Sequence, residues 1–150
     1  MEANIRRILV AVDFSEPGML ALTHAKEYAE RFKAPLALVH VLFLTDNLFG
    51  AGSFAFPDTV NQITHSAKVE LEKLVASVLA DNIGCEGFVL SGTPDEEICR
   101  FAADPANQID LIVVGTHGRT GLARVAFGSV AQRILQGAPC PALVVPSRKG

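Results

Sequence analysis

Five short, almost entirely apolar runs recur along this chain of 150 residues, and segments with helical periodicity separate them. Continuous apolar runs rich in β-branched residues are typical of strands that are buried on both faces of a parallel sheet. The alternation with helices predicts an α/β fold, an open parallel five-stranded sheet with helices on both faces. At this length we expect a single domain over residues 1–150. The five runs cover residues 8–12, 36–43, 87–91, 109–114 and 142–145.

The first two helical segments each carry one apolar stripe. Ser15 precedes Pro17 and predicts the N-cap of the first helix, which Pro35 ends. The second helix ends near Asn82 and Gly84, and it follows a stretch without periodicity, residues 45–58. A connection of that length is usually functional or mobile. The stripes are Met19, Leu22, Ala25, Ala29 and Phe32 in the first helix, and Ile63, Ala67, Leu71, Leu74, Val75, Val78 and Leu79 in the second.

The last two helices begin with capping patterns. Thr93 and Glu96 have the spacing of a capping box, which predicts a third helix that stops before Pro105. Ser129 and Gln132 have the same spacing, which predicts Ser129 as the N-cap of a fourth helix over residues 130–136.

A glycine-rich loop joins the fourth apolar run to the fourth helix. Its glycines include Gly115, Gly118 and Gly128, and Ser129 follows. Backbone N–H groups can approach an anion closely where there is no Cβ, and a helix N-terminus adds partial positive charge. The spacing matches neither G-x-x-x-x-G-K-[ST] nor G-x-G-x-x-G, and no lysine lies between Gly115 and Gln136. The loop therefore predicts an anion site of another kind, the alternative being that the glycines only form turns.

The spacing Gly115-x2-Gly118-x9-Gly128-Ser129 resembles the ATP-binding motif of the universal stress protein family. The resemblance extends along the chain from Asp13 to the final apolar run. It implies the strand order 3-2-1-4-5, ATP as the ligand with Mg²⁺ as its companion ion, and a homodimer that pairs strand 5 (residues 142–145) with its copy. In that order the winding reverses between strands 1 and 4, where open α/β sheets bind their ligands.

The same resemblance implies how the base and sugar bind. The backbone of Val41 would read the adenine edge, and Asp13 would contact the sugar or base side. Val12 and Val114 would line the base pocket. Two simpler interpretations stay open, because Asp13 would also suit a helix cap and the valines need no ligand to be buried in a core.

The phosphates would lie against the backbone N–H groups of the loop and of the fourth helix. The His117 side chain would be a further donor, unless it is merely an exposed loop residue, and Ser129 would be another, unless capping occupies it. Relatives that bind ATP often carry a second hydroxyl residue after the Gly-Ser pair, where this chain has Val130 and Ala131. The implied phosphate-binding residues are Gly115, His117, Gly118, Gly128, Ser129 and Val130.

Composition excludes several other classes of function. The chain is 49% hydrophobic and 19% charged, which suits a folded domain, and it contains no apolar run long enough to span a membrane. A net charge of −3 with scattered basic residues argues against nucleic acid as a partner. The four histidines lack metal-ligand spacing, so we expect no protein-built metal site. Cys85, Cys99 and Cys140 suggest small buried thiols in a reducing, cytoplasmic setting.

Three functions therefore compete at this point. The first is an ATP-binding regulatory homodimer of the stress response, acting on a protein partner that the sequence does not name. The second is a slow ATP hydrolase or an autophosphorylating protein, although the sequence offers no catalytic residue that we would name. The third is an interaction module without bound nucleotide, which the glycine motif argues against.

Overall fold

The computed structural model describes residues 4–43, 57–116 and 128–147. Its five parallel strands form one sheet in the order β3-β2-β1-β4-β5, which confirms the predicted fold class and strand order. The strands are β1 (Ile8–Ala11), β2 (Leu36–Leu42), β3 (Cys85–Ser91), β4 (Leu111–Gly115) and β5 (Ala142–Val145). The helices in these ranges are α1 (Glu16–Phe32), α2 (Pro57–Ala80), α3 (Pro94–Ala103) and α4 (Ser129–Gly137), with a 3-10 turn at Pro105–Asn107.

The sheet separates two apolar cores, because successive side chains of a strand point to opposite faces. Helices α1 and α2 cover one face and α3 and α4 cover the other. The first core includes Ile8, Val10, Leu36, Leu38, Leu22, Ala25, Leu71 and Val78. The second includes Leu9, Val39, Ile112, Val114, Ile98, Ala102, Ala131 and Ile134. This burial on both faces is why the central strands read as continuous apolar runs.

Three element boundaries differ from the prediction by two residues, and strands β1 and β2 each end one residue early. Strand β3 begins at Cys85, two residues early, because Cys85 and Glu86 pair with Leu36 and Ala37 of β2. Strand β4 begins two residues late, at Leu111. Helix α2 begins at Pro57, inside the stretch predicted as a connection, and residues 45–56 of that stretch lie outside the described residues.

Two of the three predicted caps need correction. Ser15 caps α1 as predicted, since its hydroxyl accepts a hydrogen bond from the Gly18 amide at 3.2 Å. Thr93 stands at the N-cap of α3, but its side chain makes no capping hydrogen bond, so the capping box does not form. Ser129 was the wrong residue for α4: Gly128 is the N-cap and Ser129 is the first helical residue.

The outer limits of the predicted apolar stripes are exposed to solvent. Met19, Phe32, Ile63 and Leu79 are between 37% and 50% exposed, although the prediction counted them among buried residues. In α1 the buried positions are Gly18, Ala21, Leu22, Ala25 and Ala29. Met19 and Phe32 do not belong to this buried stripe. The Phe32 ring instead stacks on Tyr28, with the ring centroids 6.3 Å apart.

The three cysteines are free thiols, and each is partly rather than fully buried. Burial raises the pKa of the Cys85 thiol to about 11 and raises the pKa of Cys99 and of Cys140 as well. The described part of the chain contains no helix with the length and apolar character that crossing a bilayer requires.

Candidate functional site

The reversal of winding falls between β1 and β4, which pair directly in the middle of the sheet. Helix α1 leaves β1 toward one face of the sheet, and α4 follows β4 on the other face. In open α/β sheets, ligands bind outside the carboxyl ends of the strands at such a reversal. We name this place, at the carboxyl ends of β1 and β4, the switch crevice.

Thr116 joins three elements at the edge of the switch crevice. Its carbonyl oxygen accepts a hydrogen bond from the Gly128 amide at 2.6 Å, and its own amide donates to the Val145 carbonyl at 3.0 Å. Its hydroxyl accepts from the Ser147 amide at 3.2 Å, and the residue is only 7% exposed. The two ends of the glycine loop are thus held against each other, although residues 117–127 lie outside the described residues. Sequence reasoning passed over Thr116, whose one signal is a polar residue directly after a buried strand.

The bond to Thr116 also explains the correction at the start of α4. It holds Gly128 in an extended conformation, with φ −59° and ψ 146°, so the helix starts one residue earlier than a Ser129 cap would allow. The Gln132 amide then bonds to the Gly128 carbonyl at 3.1 Å. The amides of Ser129 and Val130, the first two residues of α4, have no acceptor within the helix, because the first turn of any α-helix leaves its N–H groups unsatisfied. With the helix dipole, they form a partial positive charge beside the end of β4.

Gly115 is required by packing, whatever it does for a ligand. A Cβ atom at this position would lie 2.9 Å from the Pro17 carbonyl oxygen, closer than real Cβ contacts come. The first turn of α1 can therefore lie against the end of β4 only if residue 115 is glycine. Packing alone therefore explains a glycine at this position. The predicted contact of Gly115 with phosphate stays a prediction.

Asp13 supports the cap of α1 without being the cap. One carboxylate oxygen accepts hydrogen bonds from the Ser15 amide, at 3.0 Å, and from the Ser15 hydroxyl. Ser15 in turn accepts from Gly18. A Cβ on Gly18 would lie 2.5 Å from that same Asp13 oxygen, so this glycine lets the helix approach the carboxylate. Asp13 therefore takes part in capping α1, as the simpler interpretation expected, and it also lies beside the switch crevice. Its contact with a ligand stays a prediction.

The backbone of Val41 extends past the end of β1. The pairing of β1 with β2 ends at Ala11 and Val39, and the Val12 amide adds one further bond to the Val39 carbonyl at 2.9 Å. In a parallel strand alternate residues turn their N–H and C=O groups to the same side. The N–H and C=O of Val41 therefore face the same side as those of Val39, toward the switch crevice beyond the last β1 partner.

Val12 and Val114, which the prediction put in one base pocket, lie in different cores. Val12 is 3% exposed and packs under α1 and α2, whereas Val114 is 6% exposed and packs under α3 and α4. Their side chains belong to opposite faces of the sheet. Both are accounted for as core residues.

His40 is the residue that sequence reasoning most clearly missed. It is 8% exposed within a strand that is otherwise apolar, and its Nδ1 lies 2.7 Å from the Val12 carbonyl oxygen. The Phe14 ring packs against the imidazole, with centroids 4.7 Å apart. Phe14 has a φ of +62°, a left-handed conformation that is uncommon for a bulky residue. The available signal was a single histidine inside an apolar strand.

The described ranges hold no group of three His, Cys, Asp or Glu side chains that is able to bind a metal ion. Among the described carboxyls, the one with a shifted pKa is that of Asp110, at the amino ends of the central strands, where Arg6 precedes β1 and Asp110 precedes β4. The Arg6 guanidinium donates to both Asp110 oxygens, at 2.9 and 3.0 Å, and its hydrogen bonds lower the pKa of that carboxyl. This ion pair fastens the two central strands far from the switch crevice. His117 and Gly118 lie outside the described residues.

The model of the universal stress protein family matches residues 4–146. The chain belongs to this family. Universal stress protein MJ0531 of Methanocaldococcus jannaschii is 31% identical to it, over 96% of this chain and 84% of that protein. The solved structure of MJ0577, a universal stress protein of the same organism, has a TM-score of 0.85 at 27% identity and covers 99% of this chain and 100% of its own.

A second solved structure of the family contains a ligand. It is a universal stress protein from Archaeoglobus fulgidus in complex with dAMP, with 26% identity and a TM-score of 0.65 over 95% of this chain and 98% of that chain. These matches confirm the family that the glycine spacing suggested, and the ATP-binding motif itself stays a prediction.

Proposed function

We propose that this universal stress protein binds an adenine nucleotide, ATP with Mg²⁺, in the switch crevice, and that it acts as a regulatory homodimer in the cytoplasmic stress response. One observation carries the proposal: the hydrogen bond from Gly128 to Thr116 joins the end of β4 to the amino end of α4 at the point where the sheet reverses its winding. A family member from Archaeoglobus fulgidus in complex with dAMP supports the adenine nucleotide as the ligand class.

The residues of the switch crevice suit the three parts of a nucleotide. The outward N–H and C=O of Val41 match the alternating donors and acceptors of an adenine edge. The Asp13 carboxylate, fixed at one oxygen by Ser15, offers acceptors for sugar hydroxyls. The amides of Ser129 and Val130 and the helix dipole suit phosphate oxygens.

Magnesium would be held chiefly by the phosphates of the nucleotide and by water. Mg²⁺ keeps several waters and commonly binds through substrate phosphates together with one or two carboxylates. Within the described ranges no cluster of acidic side chains competes for that role. We accordingly expect Mg²⁺ to bind with ATP and not to the protein alone.

A proline at position 129 tests the proposal at the amide that matters most. Proline is favoured at the first position of a helix, and the extended conformation of Gly128, with ψ at 146°, is one that the residue before a proline adopts. Ser129→Pro thus removes one N–H donor and one hydroxyl while keeping the helix. A hydrogen bond to a charged group contributes about 1.5–3 kcal/mol, so we expect ATP affinity measured by calorimetry to fall by roughly tenfold or more.

Ser129→Ala is the matched control, because it removes the hydroxyl and keeps the amide. Its expected loss of ATP affinity is about two- to tenfold, and smaller than that of Ser129→Pro. The free energy of unfolding of both variants should lie within about 0.5 kcal/mol of that of the parent protein, since the residue is exposed. A parent protein that binds no ATP at millimolar concentration would rule the proposal out, as would equal affinity of all three proteins.

A further inference from the structure

The imidazole of His40 lies beneath the turn that follows β1. Because a carbonyl oxygen only accepts hydrogen bonds, the contact of 2.7 Å means that Nδ1 carries a hydrogen and donates it to Val12. The Val12 amide is bonded to Val39 on the same strand, β2, at 2.9 Å. Strand β2 therefore holds residue 12 at both its amide and its carbonyl, and the peptide plane that leads into Asp13 is fixed.

The same ring supports the unusual backbone of Phe14. A left-handed conformation is unfavourable for a non-glycine residue, and it persists only where its surroundings stabilise it. Here the Phe14 ring packs against His40 at 4.7 Å, so the imidazole holds the residue before Asp13 by a hydrogen bond and the residue after it by packing. Ser15 completes the turn by donating to the Asp13 carboxylate.

We propose that His40 is a positioning residue for the nucleotide sugar: it fixes the Asp13 carboxylate beside the switch crevice and links it to Val41, its own neighbour on β2. The inference rests on the proposed nucleotide site and adds to it. His40 does not touch the ligand in this scheme. Its side chain is buried on the α1 and α2 face of the sheet, the face of Leu36 and Leu38.

Two amide substitutions separate positioning from simple core packing. In His40→Asn the side-chain nitrogen is as many bonds from Cα as Nδ1 is, so it can donate to the Val12 carbonyl. In His40→Gln the nitrogen is one bond farther out, in the place of Nε2, and the bond to Val12 is lost. Both variants introduce a polar amide of the same chemistry, so their difference reports the position of the donor.

The readout is the preference for ATP over 2′,3′-dideoxy-ATP, which lacks both sugar hydroxyls that Asp13 would contact. We expect the parent protein and His40→Asn to prefer ATP by about tenfold. We expect His40→Gln to bind 2′,3′-dideoxy-ATP as the parent does but to lose most of its preference for ATP. A purely structural role would weaken both ligands to the same extent, and that result would overturn the inference.

The binding of the two nucleotides to the parent protein distinguishes failure of the inference from failure of the proposed function. If the parent protein binds both nucleotides equally, the sugar role of Asp13 and the inference fail while the proposed function stands. If the parent protein binds neither, the proposed function itself fails and the inference falls with it. A measurement without any variant guards against misfolding: ¹⁵N NMR of labelled histidine should find hydrogen on Nδ1 of His40, and a ring protonated only on Nε2 would overturn the inference.

Discussion

Gly115 shows how one residue can satisfy packing and a ligand motif at once. The glycine motif suggested a loop shaped for phosphate, and the structure adds a steric reason: the Pro17 carbonyl lies 2.9 Å from where a Cβ would be. The steric requirement alone is enough to demand glycine here. A glycine in a binding motif is therefore not evidence of binding until its packing has been examined.

We predict that Gly115→Ala destabilises the protein even without nucleotide. The added methyl group must push the first turn of α1 away from β4, and overpacking of this kind costs about 1–3 kcal/mol. Urea unfolding with fluorescence or circular dichroism detection measures the loss. Gly137→Ala is the control, because its Cβ would meet only the Cys99 sulfur at 3.5 Å, an ordinary contact. A Gly115→Ala protein as stable as the control would contradict the close approach seen here.

At the scale of elements, the order and packing of strands and helices were predictable, whereas their ends were not. Continuous apolar runs identify buried strands because burial on both faces is a property of every residue in the run. The ends of elements depend on single long-range contacts. Ser129 and Gln132 have good local capping chemistry, yet the hydrogen bond from Gly128 to Thr116, at 2.6 Å, decides where α4 begins.

The same limit applies to the candidate site. Asp13 was found from the sequence because it ends an apolar run, and the glycines were found from their spacing. His40 and Thr116 were missed, because each acts through partners that are distant in the chain, Val12 for the first and Val145 and Ser147 for the second. No local pattern encodes such partners.

An ion pair lies directly before the start of β4, and it carries a prediction about pH. Arg6 binds Asp110 through its guanidinium and its backbone amide, the latter at 2.8 Å, and the Asp110 amide donates to the Arg7 carbonyl at 3.1 Å. The folded state lowers the pKa of Asp110, so it favours the ionised carboxylate. The pair therefore stabilises the fold at pH values above the ordinary carboxyl pKa, and this contribution is lost as the pH falls through the lowered one.

We accordingly expect Asp110→Asn to lower the melting temperature by at most a few degrees at neutral pH, since exposed ion pairs contribute little. Below pH 4 the difference between variant and parent should shrink toward zero. Scanning calorimetry from pH 7 to pH 3 measures it. Glu86→Gln, which breaks the exposed pair with Arg7, controls for the loss of one negative charge. A difference for Asp110→Asn that grows as the pH falls would contradict the assigned direction.

At the scale of the whole molecule, the sheet ends on one side at strand β5. Strand β5 pairs with β4 along one side only, and its residues Ala142, Leu143 and Val144 are partly buried although they belong to an edge strand. The carbonyls of Pro141 and Val145 accept from β4 and from Thr116, so by alternation the N–H and C=O groups of Ala142 and Val144 point outward. An apolar edge with unpaired backbone groups invites a second strand.

The proposed homodimer uses that edge, and Val144→Pro tests it. Proline at this position removes an outward-facing N–H donor that the partner strand would need. The pairing with β4 is kept, because an edge strand tolerates proline where the N–H faces outward. Val144→Thr keeps both the amide and the shape of the side chain. By sedimentation velocity at micromolar concentration, we expect the parent and Val144→Thr to have twice the 16.0 kDa mass of the chain, and Val144→Pro to be monomeric. A monomeric parent protein refutes the dimer. A dimeric Val144→Pro protein would instead show that the interface lies away from β5, on a surface that pairs across a two-fold axis without backbone hydrogen bonds.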